Sequence, residues 1–202
     1  MMPRIGRQIP HFEHIELSSV EAVFSGDGCF RYLLSMKFGD TLLDQGRNKT
    51  AAVIMKNPSA ADEQMADATI RKVETYIYHR LNDVRWLHIL NIFAYRATEP
   101  EDLNEVFLRE GPMKAIGEEN DHVIRSTLQE CDYVILGWGN TSGIDRALYA
   151  ERIYRVKQLL KEIPEQKIFC ISGKVKTKNP LHGLMWGYDY TMDPAGEYME
   201  MK

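Results

Sequence analysis

The stretch from Ala51 to Ile70, AAVIMKNPSAADEQMADATI, gathers the side chains in this chain best suited to chemistry. An apolar run breaks at Lys56-Asn57-Pro58-Ser59, and Asp62 and Asp67 follow within ten residues. Asparagine before proline stops both strand and helix, because proline lacks an N–H and pushes its predecessor out of the helical region. A loop leaving the carboxyl end of a strand is where an α/β sheet binds its ligands. Asn57, Ser59, Asp62 and Asp67 are more polar groups than a structural turn requires. Two carboxylates there suit proton transfer, or oxygen ligation of a magnesium ion, although no compact metal-ligand spacing occurs. Three more polar clusters follow apolar runs: Asn91 to Arg96 with Phe93 and Tyr95, Trp138-Gly139-Asn140, and a basic segment holding Lys174, Lys176, Lys178 and His182. With Lys167, those lysines form a candidate phosphate-facing patch.

Each of these residues also has a plainer role. Asn57 suits a turn cap, Asp67 a helix cap and Asp62 a solvated loop acid. Phe93 suits a core, Trp138 suits packing, and His88 in mid-strand suits a core histidine. Arg96 and His182 lie in loop-like segments, where function concentrates.

The elements that must carry these clusters are read from periodicity. Residues 1 to 22 are irregular. Arg31 to Phe38 alternates as a strand and, after the turn Gly26-Asp27-Gly28, forms a small antiparallel edge. Core strands are expected over Thr50 to Lys56, Arg85 to Ile92, Asp132 to Gly137 and Lys167 to Ser172. A helix from Asp67 to Leu81 buries Ile70, Val73, Ile77 and Leu81 at helical spacing. Further helices are expected over Glu101 to Arg109, Lys114 to Glu130 and Asp145 to Ile163, and the tail from Gly173 to Tyr190 is loop-like. Strands alternating with helices predict a mainly parallel four-stranded sheet between helix layers, a three-layer α/β/α fold whose strand ends meet on one edge. The whole of 1 to 202 is expected to form a single domain.

Composition narrows the class. The chain has 202 residues, is 44% hydrophobic and 27% charged, and carries a net charge of −4, which argues mildly against tight duplex binding. No apolar run reaches membrane-spanning length, and MMPRIGRQIPHFEHIELSS has no apolar signal core, so a cytoplasmic location without membrane contact is expected. Three separated cysteines fit reduced thiols.

NPSAAD followed by DATIR, then NIFAYRAT and ILGWGN, resembles the bacterial and phage family known as domain of unknown function 1643, over about residues 30 to 188. More distantly, Asn57-Pro58 after the first core strand and Trp138-Gly139 after an apolar strand resemble the uracil-DNA glycosylase superfamily. The usual His-Pro-Ser loop is only loosely matched by Pro180-Leu181-His182-Gly183-Leu184. That resemblance implies a uracil-DNA glycosylase-like fold and N-glycosidic cleavage in nucleic acid or a nucleotide. Asn57 would orient water, Asp62 or Asp67 would act as base, and His182 would donate to the leaving base. Phe93 or Tyr95 would stack on the base, and Arg96 would hold a phosphate. Pro58, Ser59, Asn91, Trp138, Gly139, Asn140, Lys176 and Lys178 complete the expected ligand set.

Two other readings stand beside this hydrolase. One is a non-catalytic module binding a nucleotide, nucleobase or single-stranded nucleic acid in the same pocket. The other is a carboxylate-dependent hydrolase or transferase, metal-assisted or not. No cofactor is expected.

Overall fold

The computed structural model describes residues 7–39, 46–97, 99–173 and 177–200. Its centre is the apolar run that precedes Lys56. Strand β3, Lys49–Met55, is fully covered from Ala51 onward because it lies between two parallel neighbours with helices on both faces. Ala52 and Ile54 point to one layer, while Ala51, Val53 and Met55 point to the other. This period-2 division supplies both halves of the core.

The sheet has seven strands in the order β1-β2-β4-β3-β5-β6-β7. The four parallel strands are β4 (Val84–Asn91), β3, β5 (Tyr133–Leu136) and β6 (Ile168–Ser172). These are the four core strands read from the sequence. On one side, β1 (Glu21–Phe24) and β2 (Arg31–Lys37) form the expected antiparallel edge. On the other, β7 (Thr191–Pro194) runs antiparallel to β6. The sheet is therefore larger than the expected four strands, and β7 extends it where only loop was read nearby.

Helix α1, Ala68–Arg80, covers one face through Ile70, Val73, Tyr76 and Ile77. Helices α2 (Pro100–Glu110), α3 (Pro112–Ile116), α4 (Asn120–Glu130) and α5 (Arg146–Leu160) cover the opposite face. A short α6, Gly196–Met199, follows β7. The expected single helix from Lys114 to Glu130 is two helices. Gly117 breaks it at φ 88°, where an added Cβ would sit 2.9 Å from the Tyr32 ring. Only glycine accepts that conformation and that approach together.

The segment before β1 is irregular in form yet closely tied to the fold. Gln8 Nε2 donates to Ala60 O and to Asp62 Oδ2, both at 2.9 Å. His11 Nδ1 lies 2.5 Å from Glu74 Oε1, and Arg71 donates to the carbonyls of Pro10 and His11. The strap thus fastens the loop after β3 to α1. Cys29, Cys131 and Cys170 are free thiols. No helix among the described residues is long and apolar enough to cross a membrane.

Candidate functional site

The order of the parallel strands places a crevice. From β3 the chain crosses by α1 to β4, then returns over the opposite face by α2–α4 to β5. The connections part between β3 and β5, and ligands of open α/β sheets bind at such a switch point. Lys56, Asn57 and Pro58 leave β3 there, beside Gly137, Trp138, Gly139 and Asn140 leaving β5.

Lys56 was not singled out from the sequence, where a lysine after a strand looks like a solvated end. Only 6% of it is exposed. A buried lysine normally has a carboxylate partner, yet among the described residues none is within ion-pair distance. Burial alone pushes its pKa down to about 8. The Tyr149 ring centroid is 5.9 Å from Nζ, and Tyr149 is fixed because its hydroxyl donates to Gly139 O at 2.6 Å.

The loop after β6 folds back over the crevice. Gly139 N donates to Pro180 O at 3.0 Å, and His182 caps the 3₁₀ turn Gly183–Met185. Its Nδ1 accepts from Leu184 N at 3.3 Å, which assigns the ring proton to Nε2. Burial, then the Lys56 charge, push the His182 pKa down to about 4, with Asp67 opposing. Gly139 has φ 71°, and a Cβ there would lie 2.7 Å from the His182 Cβ.

The expected carboxylates divide. Asp67 is the N-cap of α1, with Oδ1 accepting from Thr69 N and Ile70 N at 2.9 Å, and its charge is also felt at His182 and Arg31. Asp62 instead braces its own turn, accepting from Gln64 N, Met65 N and Gln8 Nε2. Its charge adds to the field at His11 and Arg31. Asn57 Nδ2 donates to Ala97 O at 2.6 Å and to Pro58 O at 3.3 Å, tying the β3 and β4 exits together. Pro58 is buried and Ser59 partly exposed in that loop.

The cluster after β4 faces inward more than expected. Phe93 has no exposed surface and belongs to the core, so it offers no face for stacking. Asn91 and Trp138 are also buried, and Asn91 Nδ2 and Trp138 Nε1 have no partner among the described residues. Tyr95 packs edge-on to Phe30. Arg96 donates to Gly28 O at 3.3 Å and lies over Phe24, while its neighbour Arg31 is 1% exposed and donates to Ala61 O at 2.6 Å. Burial lowers the Arg31 pKa to about 10; Asp67 opposes this and Arg96 adds to it. Arg31, like Lys56, was not flagged from the sequence, because its alternating strand context resembles any half-exposed strand. His88 is half-buried and bonded to Ser35 at 2.7 Å.

Asn140 is exposed and its Oδ1 accepts from Asn179 Nδ2 at 3.2 Å. From there a groove of about 930 Å³ runs along α5, lined by Arg146, Tyr149, Tyr154 and Lys157, by Thr177 to Asn179, and by Glu197, Tyr198 and Glu200. Lys178 thus lines the groove; Lys174 and Lys176 lie outside the described residues. Among the described residues no three histidine, cysteine, aspartate or glutamate side chains gather as a metal site.

A model of the family described as "Protein of unknown function (DUF1643)" matches residues 31–184. The chain belongs to this family. No curated protein and no solved structure matches it. The DUF1643 span begins at Arg31 and ends just past His182, so it includes the four parallel strands, Lys56, Asn57, Asp67 and Tyr149. The His11 strap, β7 and α6 lie outside it.

Proposed function

We propose that this chain binds a nucleotide-type ligand at the β3/β5 crevice and in the groove that opens from it. The observation that carries this reading is the groove itself. It begins at Asn140, directly after the strand-end residue Gly139, and sets the exposed Tyr154 ring beside Arg146, Lys157 and Lys178, with Glu197 and Glu200 also in its lining. Aromatic faces and cations together suit a base and a phosphate. Its volume falls within the range that holds a small organic ligand. Exposed Tyr154 supplies a stacking face in place of buried Phe93.

A second reading, N-glycosidic cleavage, is favoured by His182. Water would add to the anomeric carbon, the base–sugar bond would break, and the departing base would gather negative charge. A neutral imidazole with its proton on Nε2 can donate to that charge, and its low pKa keeps it neutral at physiological pH. Asn57, held through Nδ2, would orient the water through Oδ1. The finer likeness to the uracil-DNA glycosylase superfamily rests on Asn57-Pro58 after the first parallel strand, and it supports this reading by analogy of fold.

Calorimetric titration with nucleosides and their phosphates tests the first reading. Binding that needs the phosphate and weakens about tenfold in Arg146→Ala or Lys178→Ala supports it; no heat with any nucleotide removes it. Mass spectrometry of reactions with nucleotides and single-stranded oligonucleotides tests the second, by release of free base that depends on His182 and Asn57.

A further inference from the structure

Neither proposed reading gives Lys56 a task. The side chain is more than nine-tenths buried at the carboxyl end of the central strand, at the switch-point crevice. No hydrogen bond or ion pair holds its amine among the described residues. The Tyr149 ring centroid lies 5.9 Å from its Nζ, and the Lys56 charge is felt at His182. Lys56 Nζ is not among the fully enclosed unpartnered atoms, so the amine stays reachable while its stem is buried, and a largely desolvated amine is the form in which lysine acts as a nucleophile.

We infer that Lys56 is a nucleophilic amine that forms an imine with an aldehyde-bearing sugar phosphate in the β3/β5 crevice. The sugar assignment rests on the nucleotide-directed reading; the carbonyl chemistry rests on Lys56 alone. The neutral amine attacks the carbonyl carbon of the open-chain sugar, forming a C–N bond. The carbonyl oxygen leaves as water, carrying away the two protons lost by nitrogen, and the imine C=N remains. No oxidant or reductant is consumed. The open-chain aldehyde is the form a sugar can adopt once its base has been removed, so a reaction that breaks base–sugar bonds would supply this substrate. With its pKa near 8, about a tenth of Lys56 is neutral at pH 7, against well under a thousandth of an ordinary lysine near 10.4.

The experiment is reductive trapping. Full-length protein is incubated with 2-deoxyribose 5-phosphate and cyanoborohydride at pH 7, and with unphosphorylated 2-deoxyribose in a parallel arm. Peptide mass spectrometry then locates the secondary amine. The expected result is one adduct on Lys56, favoured by the phosphate, with a rate that rises with pH and levels off above about 8. Lys56→Arg, which keeps the charge, should lose the adduct without losing thermal stability. An adduct confined to the terminal amine or to surface lysines overturns the inference, and so does an adduct spread evenly over all lysines. Because mapping is done on the unaltered protein, a variant that fails to fold does not blunt the test. Nucleotide binding by calorimetry without trapping leaves the binding reading standing and removes this one. Trapping on Lys56 without nucleotide binding does the reverse.

Discussion

His11 Nδ1 lies 2.5 Å from Glu74 Oε1, with both side chains closed off from solvent and 63 residues between them in the chain. Glu74 Oε2 also accepts from Phe12 N, and His11 Nε2 reaches Asp62 O at 3.0 Å. One buried carboxylate therefore holds the strap that braces the loop after β3. Removing one partner of such a pair costs about 3 to 5 kcal/mol. Glu74→Ala should lower the melting temperature strongly and expose the loop from Ala60 to Ala66 to hydrogen exchange; normal protection there would show that the strap is not the brace.

The same pair sets the alkaline side of the stability profile. Burial opposes charge on His11, but the hydrogen bond and charge of Glu74, with help from Asp62, raise its pKa. Stability from this raised pKa is fully present below the unfolded value of about 6.5 and is lost as pH rises through the folded value. His182 acts in the opposite sense. Its folded pKa of about 4 means that the unfolded chain binds the proton more readily, so stability falls as pH drops from about 6.5 towards 4. The two histidines together should give a melting-temperature maximum near pH 6.5. Glu74→Gln should flatten the alkaline limb and His182→Gln the acid limb. An unchanged acid limb in His182→Gln would contradict the neutral ring.

Lys56 and His182 should also be coupled in the folded state. The Lys56 charge is part of what depresses the histidine. Lys56→Met should raise the His182 pKa, followed by NMR of the ring protons, and should leave stability equal or higher because an unpaired buried cation has gone. An unshifted titration would mean that the two groups do not share the crevice.

Asp67 has two separable properties, its cap and its charge. Asp67→Ala should cost about 1 kcal/mol through loss of the α1 cap, whereas Asp67→Asn keeps nearly all of it. If Asp67→Asn folds normally but loses ligand binding or turnover, the charge matters beyond the cap. If both variants lose function only in proportion to stability, Asp67 is a cap and nothing more.

Gly117 and Gly111 form a matched comparison. Their φ values are 88° and 87°, but a Cβ on Gly111 meets nothing within 4 Å, while one on Gly117 meets Tyr32, Phe30 and Ala94. Gly111→Ala should cost about 1 to 3 kcal/mol of backbone strain, because its ψ of 173° lies in a region essentially reserved for glycine. Gly117→Ala should cost clearly more in denaturant melts, since it adds a collision in the core. Equal losses would show that Tyr32 moves aside freely.

Much of this architecture is legible in the sequence because it rests on local signals. AAVIM, HILNI, YVIL and IFCIS are short apolar runs bounded by polar turns, and each became a parallel strand. Asp67 stands where an N-cap belongs and caps α1, and the helix expected from Asp145 is there, with Asp145 itself as the cap. What escaped is what depends on distant partners. Nothing near Lys56 says that its amine will be buried, and nothing near Arg31 says that its guanidinium will lie beneath Ala61. The Gly117 break is invisible to periodicity, because Ile116, Val123 and Ile124 keep a helical rhythm across it. The candidate site is legible as a set of strand ends, but its groove is not, because α5 and Thr177 to Asn179 meet only in three dimensions.

The outermost strands bear on how this protein meets copies of itself. β1 and β7 are only four residues long. The ladder of β1 slips between Val23 and Phe24, and β7 ends on Pro194, which has no N–H to offer an incoming strand. Growth of the sheet by edge-to-edge addition is thereby blunted on both sides. Crowded copies should resist fibril formation even though the interior strands, taken alone, are apolar enough to aggregate.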